Sequence, residues 1–367
     1  MTTVTATIQG PSVADGVARA PTPWAACSKL NATSPAHVLQ LRVNADRRPS
    51  IAALHPLARS IGLHATVTRT SPCNRVAFFP ECQAFMATQP QPIDLYLDLL
   101  KKTLSFSLWP EPPTPIETFR DSSGPLQRIA VSAISRLLAT RRLVLAKERH
   151  VDPVEKAEGK IWPGYAHTMI GLKRLDNLQF CIETVLREQI AGDVIETGAW
   201  RGGACIFMRA ILAAHGITER KVYVADSFAG LPPPAPEMFP ADAGDTSHAH
   251  RFLSISQESV AENFRNYGLL DDQVVFLEGW FEDTLPTAPM TQLAVIRLDG
   301  DMYGSTMVAL ENLYPKLSPG GFCIVDDYAL KGCRQAVTDY RAKHELTSPL
   351  IEIDWSGAFW RKESPTA

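Results

Sequence analysis

Cysteine is scarce in this sequence and never occurs in a paired, metal-binding spacing. The 367 residues contain seven cysteines, an odd number, and each stands alone without a Cys-x-x-Cys motif. Disulfide-stabilised domains and zinc cages use cysteines in matched, closely spaced sets. The cysteine content therefore excludes both classes and predicts reduced thiols, as in the cytoplasm.

Long apolar runs and an excess of basic residues are also absent. No run approaches the roughly 18 apolar residues that a membrane-spanning helix needs, and residues 1–10 have neither the basic nor the apolar segment of an export signal. The formal net charge of −3 provides no basic face for nucleic acid or anionic lipid. We therefore expect a soluble, unexported protein that binds neither nucleic acid nor membranes.

The chain is long enough for about two domains, since one domain commonly holds on the order of 100–200 residues. Residues 1–36 are rich in Ala, Thr, Ser and Pro without apolar periodicity, which is typical of a disordered tail. Residues 37–92 are expected to form a small N-terminal region of unknown fold, and residues 93–165 a helical lead-in. Residues 166–363 are predicted to form the catalytic domain.

Short apolar patterns predict individual elements ahead of that domain. They include strand-like apolar runs and stretches with helical spacing. The predicted elements are apolar runs at 37–43, 65–68 and 76–79 and helices at 51–61, 93–104 and 126–146.

The remainder of the chain alternates between strand and helix. Such alternation is typical of a doubly wound, mostly parallel α/β sheet with helices on both faces, a Rossmann-like architecture. Apolar segments at 350–355 and 358–361 flank a Ser-Gly turn and predict an antiparallel C-terminal hairpin. The predicted strands are Asp193–Glu196, Val222–Asp226, Val274–Glu278, Leu293–Asp299 and Phe322–Asp326, and the predicted helices are Arg174–Ile190, Gly203–His215, Ser256–Tyr267 and Ser305–Leu317.

The loop after the first of these strands has the character of a nucleotide site. Gly198 permits a tight turn, and Gly202 lets the next helix begin against a ligand. Trp200 would crowd a pyrophosphate, and the dinucleotide pattern G-x-G-x-x-G is missing. Glu196, just before the loop, suits the positive amino-acid head of S-adenosylmethionine. We therefore favour that ligand over NAD.

The next two strand ends extend this site, because ligands of doubly wound sheets bind outside the carboxyl ends of the strands. Asp226 follows Gly198 by 28 residues and is placed to accept both ribose hydroxyls. Gly279 and Trp280 end the following strand and predict an adenine slot. The shared position of these residues at successive strand ends indicates one cofactor crevice.

Carboxylates crowd the last two strand ends. Asp299 and Asp301 follow one strand, and Asp326 and Asp327 follow its neighbour. Three or four such groups brought together would repel one another and raise their pKa values, and a hard cation such as Mg²⁺ would relieve the repulsion. The alternative is that they are solvated loop acids, with Asp301 and Asp327 capping helices.

Several segments resemble the macrocin O-methyltransferase family, whose enzymes methylate sugar hydroxyls of macrolide and aminocoumarin antibiotics. The resemblance covers about residues 93–362. The motifs that carry it are Leu95–Leu104, Thr168–Asn177, Glu196–Gly203, Arg297–Tyr303 with Ser305 and Thr306, Pro319–Phe322 and Asp326–Tyr328.

The resemblance implies a class I methyltransferase fold with S-adenosylmethionine as methyl donor. It also implies Mg²⁺ held by the three matching carboxylates, the first of which resembles the proposed general base. The resemblance also implies two cofactor-binding features: a segment that closes over the cofactor and a turn that binds the ribose. The implied residues are Asp299, Asp326 and Asp327 for the metal, Thr168 and Met169 for the closing segment, and Asp226 and Ser227 for the turn.

These observations predict methyl transfer to a hydroxyl of a small-molecule acceptor, a sugar or deoxysugar of a natural product. His167 is an alternative base, and residues 229–251 are expected to form an acceptor lid because so long a strand-to-helix link is unusual. The rival interpretations are a nicotinamide-dependent oxidoreductase and a non-catalytic scaffold. The oligomeric state, including a homo-oligomer, is left open.

Overall fold

The computed structural model describes residues 90–116, 125–148 and 150–363, together with three short strands nearer the N-terminus. The chain divides into two units, Met1–Ala87 and Thr88–Ala367. No helix in these described parts is long and apolar enough to cross a membrane.

The first unit contains a three-stranded antiparallel sheet. Its strands are β1 (Val4–Thr7), β2 (Val38–Leu41) and β3 (His64–Thr66), with β1 in the centre. Strands β2 and β3 fall on predicted apolar runs, whereas β1 lies in the segment predicted as a tail. β-Branched residues favour extended backbone, which explains why Val-Thr-Ala-Thr forms a strand.

Other expectations for this region lie outside the described residues. They are the remainder of the predicted tail, the helix at 51–61 and the apolar run at 76–79. The proposed domain boundaries therefore stay predictions.

The second unit is built on a seven-stranded sheet whose order is β11-β12-β10-β9-β6-β7-β8. Strands β6 to β10 are parallel to one another, and β12 runs antiparallel to both β10 and β11. The doubly wound sheet and the C-terminal hairpin confirm the predicted fold class. The strands are β6 (Asp193–Thr197), β7 (Val222–Asp226), β8 (Val274–Glu278), β9 (Leu293–Leu298), β10 (Leu317–Val325), β11 (Ile351–Glu352) and β12 (Ala358–Arg361).

The described residues of this unit contain nine helices, and a small ribbon of β4 (Thr114–Pro115) and β5 (Ala146–Lys147) precedes the sheet in the chain. The helices are α1 (Pro92–Leu104), α2 (Pro125–Ala139), α3 (Pro153–Ala157), α4 (Leu172–Arg187), α5 (Gly203–Ala214), α6 (Gln257–Asn266), α7 (Phe281–Thr284), α8 (Tyr303–Leu313) and α9 (Lys331–Lys343).

Four helices differ from the sequence prediction, among them the short α3 and α7, which were not predicted. Helix α2 ends at Ala139 rather than near 146, because the chain turns through a left-handed residue, Arg142, and then enters β5. Helix α9 was not predicted, although its buried residues Cys333, Ala336, Val337 and Tyr340 follow helical spacing. That spacing was the available signal.

The core consists of one apolar layer on each face of the sheet. Val194 and Ile195 are neighbours in β6 but join opposite layers, as the alternation of side chains along a strand requires. Helices α4 and α5 contribute to the first layer, and α8 and α9 to the second. With both faces covered, a ligand can reach the sheet at the carboxyl ends of its strands.

Candidate active site

A cavity opens at the carboxyl ends of the central strands. It contains about 670 Å³ of empty space, a volume that includes space open to solvent. Its lining combines the four strand-end loops with part of the predicted lid. The lining residues are Met169, Gly198, Trp200, Asp226, Ser227, Gly230, Leu231, Pro232, Leu253, Gly279, Trp280, Phe281, Glu282, Asp299, Gly300, Asp301 and Ser305.

Gly198 lets the ends of β6 and β9 approach each other closely. Its φ is +90°, and a Cβ there would lie only 1.7 Å from the backbone oxygen of Asp299. The backbone N–H of Asp299 donates to the carbonyl of Thr197 at 2.8 Å. A residue larger than glycine would therefore separate the predicted cofactor loop from the acidic strand end.

Asp226 organises that loop through three backbone hydrogen bonds. One carboxylate oxygen accepts from the N–H groups of Ala199 at 2.7 Å and Trp200 at 3.2 Å, and the other accepts from Phe228 at 2.7 Å. Burial raises its pKa, although these bonds oppose the shift. Asp226 also lines the cavity beside Ser227, so it both shapes the loop and faces the ligand space.

Glu196 does not reach the cavity. Its side chain is 2% exposed and forms an ion pair with Arg297, its register partner on β9. The other oxygen accepts from the Cys205 thiol at 2.6 Å, and burial raises the Glu196 pKa to about 7. The predicted contact of Glu196 with an amino-acid head stays a prediction, and in the structure this carboxylate forms a buried ion pair.

Arg297 and Arg174 form a buried ionic network that the sequence analysis missed. Arg297 pairs with Asp326 as well as Glu196, and donates to Asp299 at 2.8 Å. Arg174 pairs with the other oxygen of Asp326 and donates to Asp354 at 3.0 Å. The available signal was a lone arginine inside the apolar strand β9.

The predicted metal ligands lie together. One oxygen each from Asp299, Asp326 and Asp327 lies within 4.8 Å of the other two. Burial and the neighbouring carboxylates raise the pKa of Asp299, raise that of Asp327 well above its ordinary value, and raise that of Asp301 to about 7. This crowding is chemically suited to a divalent cation, which takes oxygen ligands.

Six predicted site residues are not among the described lining residues of the cavity: Asp326 and Asp327 of the acidic cluster, and His167, Thr168, Glu196 and Gly202. Thr168, Gly202 and Glu196 are buried. The Nδ1 atom of His167 lies 2.9 Å from the hydroxyl of Tyr267, and burial together with Arg201 lowers the His167 pKa. The structure therefore does not bring His167 to the acidic cluster.

Residues 229–251 carry part of the cavity wall, and their role as an acceptor lid stays a prediction. The cavity is lined by three residues near the start of this segment, Gly230, Leu231 and Pro232. The segment's histidines are exposed, and His250 packs edge-on against Trp162 with ring centres 5.1 Å apart. Neither the position nor the packing of His250 places it among the reacting groups.

Comparison with known proteins agrees with this geometry. The model of the macrocin O-methyltransferase family matches residues 93–362. The chain is 50% identical over 275 residues to the Streptomyces olivaceus 8-demethyl-8-(2,3-dimethoxy-α-L-rhamnosyl)-tetracenomycin-C 4'-O-methyltransferase, covering 75% of this chain and 95% of the relative. It is 45% identical over 275 residues to the mycinamicin III 3''-O-methyltransferase of Micromonospora griseorubida, covering 74% and 98%.

A solved structure supports the same relationship. The O-methyltransferase NovP superposes with a TM-score of 0.63 at 43% identity, over 74% of this chain and 100% of that protein. These matches confirm the predicted fold and enzyme class. The chain belongs to the macrocin O-methyltransferase family.

Proposed function

We propose that this enzyme transfers a methyl group from S-adenosylmethionine to a sugar hydroxyl of a glycosylated natural product, in antibiotic biosynthesis. The observation that carries the proposal is that one cavity is lined by Gly198, Asp226 and Asp299. These residues join a cofactor loop, a ribose acceptor and an acidic strand end. Relatives named for a rhamnosyl tetracenomycin and for a mycinamicin support a glycoside acceptor.

The cofactor would occupy the side of the cavity formed by β6, β7 and β8. Asp226 has further lone pairs with which to accept ribose hydroxyls, since a carboxylate offers about four acceptor sites. Gly279 and Trp280 line the same space and would bound the adenine. Met169, in the segment before α4, also lines the cavity and would close it over the cofactor.

We further propose that Asp299, Asp326 and Asp327 hold Mg²⁺. When bound, the cation would lower the pKa of an acceptor hydroxyl and orient it. The local charge supports this assignment, because the carboxyl groups around the site outnumber its two guanidinium groups. The carboxylates are Glu196, Asp299, Asp301, Asp326, Asp327 and Asp354, and the guanidiniums are Arg174 and Arg297.

Asp299 would accept the hydroxyl proton as the acceptor oxygen bonds to the methyl carbon and the carbon–sulfur bond breaks. It is the one of the three proposed ligands that lines the cavity. Arg297 donates to one Asp299 oxygen at 2.8 Å and so orients the carboxylate. Holding the acceptor in line with the methyl group supplies much of the rate. We assign the proton to Asp299 rather than His167, whose ring contacts Tyr267.

The proposal is tested by mass spectrometry of products from a panel of glycosides, with S-adenosylmethionine as co-substrate. One added methyl group on the sugar is the expected result. Calorimetry with S-adenosylmethionine and with NAD, each with and without Mg²⁺, separates methyl transfer from nicotinamide chemistry. Binding of NAD alone would overturn the proposal, and binding of S-adenosylmethionine without any methylated product would favour a scaffold.

A further inference from the structure

The middle of the lid is anchored to the helix that follows the acidic strand end. A short 3₁₀ turn at Pro240–Asp242 lies against α8 and α9. Asp242 is 5% exposed, and its two carboxylate oxygens accept from the backbone N–H groups of Tyr303 at 2.6 Å and Gly304 at 2.9 Å. These donors are the first two residues of α8.

Helix α8 needs a capping group from elsewhere. The first four N–H groups of a helix have no partner within it, and a Ser, Thr, Asp or Asn at the N-cap usually supplies one. The N-cap residue of α8 is Met302, whose side chain makes no capping bond. Asp242, 61 residues earlier, supplies the missing acceptors, and its negative charge also suits the positive end of the helix dipole.

The anchoring site is shaped to admit the lid. A Cβ at Gly304 would lie 2.6 Å from the ring of Phe239, and a Cβ at Gly332 would lie 3.0 Å from an Asp242 oxygen. The Phe239 ring also packs on Tyr303, with ring centres 5.9 Å apart. Glycines on α8 and α9 thus leave the space that Phe239 and Asp242 fill.

The same helix turn supports the cavity carboxylates. Asp301 has a left-handed φ of 58°, and its backbone N–H donates to Asp327 at 3.2 Å. Gly300 packs closely on Ser305 in the first turn of α8, since a Cβ at Gly300 would lie 3.0 Å from the Ser305 Cβ. Fraying this turn would therefore disturb the loop that carries Asp299 and Asp301.

We propose that Asp242 is a positioning residue, which fixes the lid to α8 and thereby holds the Asp299–Asp301 loop in its cation- and acceptor-binding geometry. It acts through backbone contacts and touches neither reacting group. The kinetic part of this inference rests on the proposed function, whereas the structural part does not. S-Adenosylmethionine binding should depend little on Asp242, because that ligand is assigned to the ends of β6, β7 and β8.

The test compares Asp242→Ala and Asp242→Asn with Glu237→Ala, which removes an exposed carboxylate from the same loop. Hydrogen exchange should be roughly fivefold to tenfold faster at 303–306 in Asp242→Ala, the size expected for losing a helix cap. Calorimetry should show Mg²⁺ binding weakened several-fold and S-adenosylmethionine binding unchanged. The acceptor KM should rise more than kcat falls.

Asp242→Asn keeps one carbonyl oxygen that can accept one of the two N–H groups, so it should lie between Asp242→Ala and wild type in every measurement. Glu237→Ala should match wild type. Unchanged exchange at 303–306 would overturn the inference, as would faster exchange with unchanged Mg²⁺ binding and acceptor KM. Should Asp242→Ala not fold, the same criteria apply to Asp242→Asn. Absence of methyl transfer in wild type would reject the proposed function, while exchange and Mg²⁺ binding would still decide the role of Asp242.

Discussion

The carboxylate of Asp226 accepts the backbone N–H of Ala199 at 2.7 Å, which ties the end of β7 to the loop after β6. The residue that we expect to bind the ribose is therefore also the residue that shapes the cofactor loop. Cofactor affinity should depend on Asp226 through both contacts.

Replacing Asp226 should weaken S-adenosylmethionine binding. Asp226→Ala removes a ribose acceptor and leaves loop N–H groups without partners, so we expect affinity to fall by about tenfold or more, as for the loss of hydrogen bonds to a charged group. Asp226→Asn keeps one acceptor oxygen and should be less severe. Calorimetric titration measures both variants, and unchanged affinity in Asp226→Ala would refute the ribose assignment.

Turnover should require a divalent cation, and cofactor binding should not. EDTA should stop methyl transfer and Mg²⁺ should restore it, because the crowded carboxylates need a cation to bind and orient the hydroxyl. In Asp299→Ala, we expect kcat to fall by about 10²-fold or more, the range for losing an acid–base group, with S-adenosylmethionine affinity retained.

Two outcomes would change this assignment. Full activity in EDTA would eliminate the metal mechanism and move attention to His167 as a metal-free base. Activity retained by Asp299→Ala with Mg²⁺ present would make Asp301, which also lines the cavity, the next candidate for the essential carboxylate.

The cation-free protein should become less stable between about pH 6 and 8. Burial raises the pKa of Glu196 and of Asp301 to about 7, from ordinary values of 4.5 and 3.8. Protonation of these two groups stabilises the folded state. This contribution is fully present below the pKa values of the unfolded chain and is lost as the pH rises through the folded-state pKa of about 7. Thermal unfolding in EDTA should show a falling midpoint across this window.

Two controls isolate that effect. Asp301→Asn removes one of the titrating groups and should flatten the pH dependence, and Mg²⁺ should raise the midpoint most at the higher pH. A midpoint that rises from pH 6 to 8 in EDTA would contradict the proposed origin of the shift.

The buried arginine of β9 should be important for folding. Arg297→Met keeps the approximate volume but leaves Glu196 and Asp326 without one of their charged partners, and removing one member of a buried pair costs about 3–5 kcal/mol. The exposed Arg265, paired with Glu258 and Glu262, offers the matched control Arg265→Met, which should change stability little. Urea unfolding measures both, and equal effects would show that the buried network contributes nothing special.

The first unit should be dispensable for methyl transfer. The family model begins at residue 93, and the 275 matched residues span 95% and 98% of two relatives. A chain beginning at Thr88 should therefore keep its activity, as should one that lacks residues 1–36. Loss of methyl transfer in either folded truncation would show that the N-terminal residues shape the site.

The sequence alone determined the order of the five parallel strands and of helices α5, α6 and α8 from Asp193 onward, although it missed α7 and α9. It also determined the chemistry at the strand ends. Apolar periodicity is local, so it located the five parallel strands to within a few residues. Gly198, Asp226 and Asp299 follow strand ends in the chain and line one cavity in the structure, because parallel strands present their carboxyl ends on one side.

Only the tertiary structure decided which of these side chains reach the cavity. Glu196 pairs with Arg297, 101 residues away, and Asp242 caps a helix 61 residues later. Such contacts depend on strand register and on where a long loop packs, and neither leaves a periodic signal in the sequence. A buried charge must find a partner wherever packing brings one, and here packing paired Glu196 with Arg297 and placed Asp242 at the start of α8.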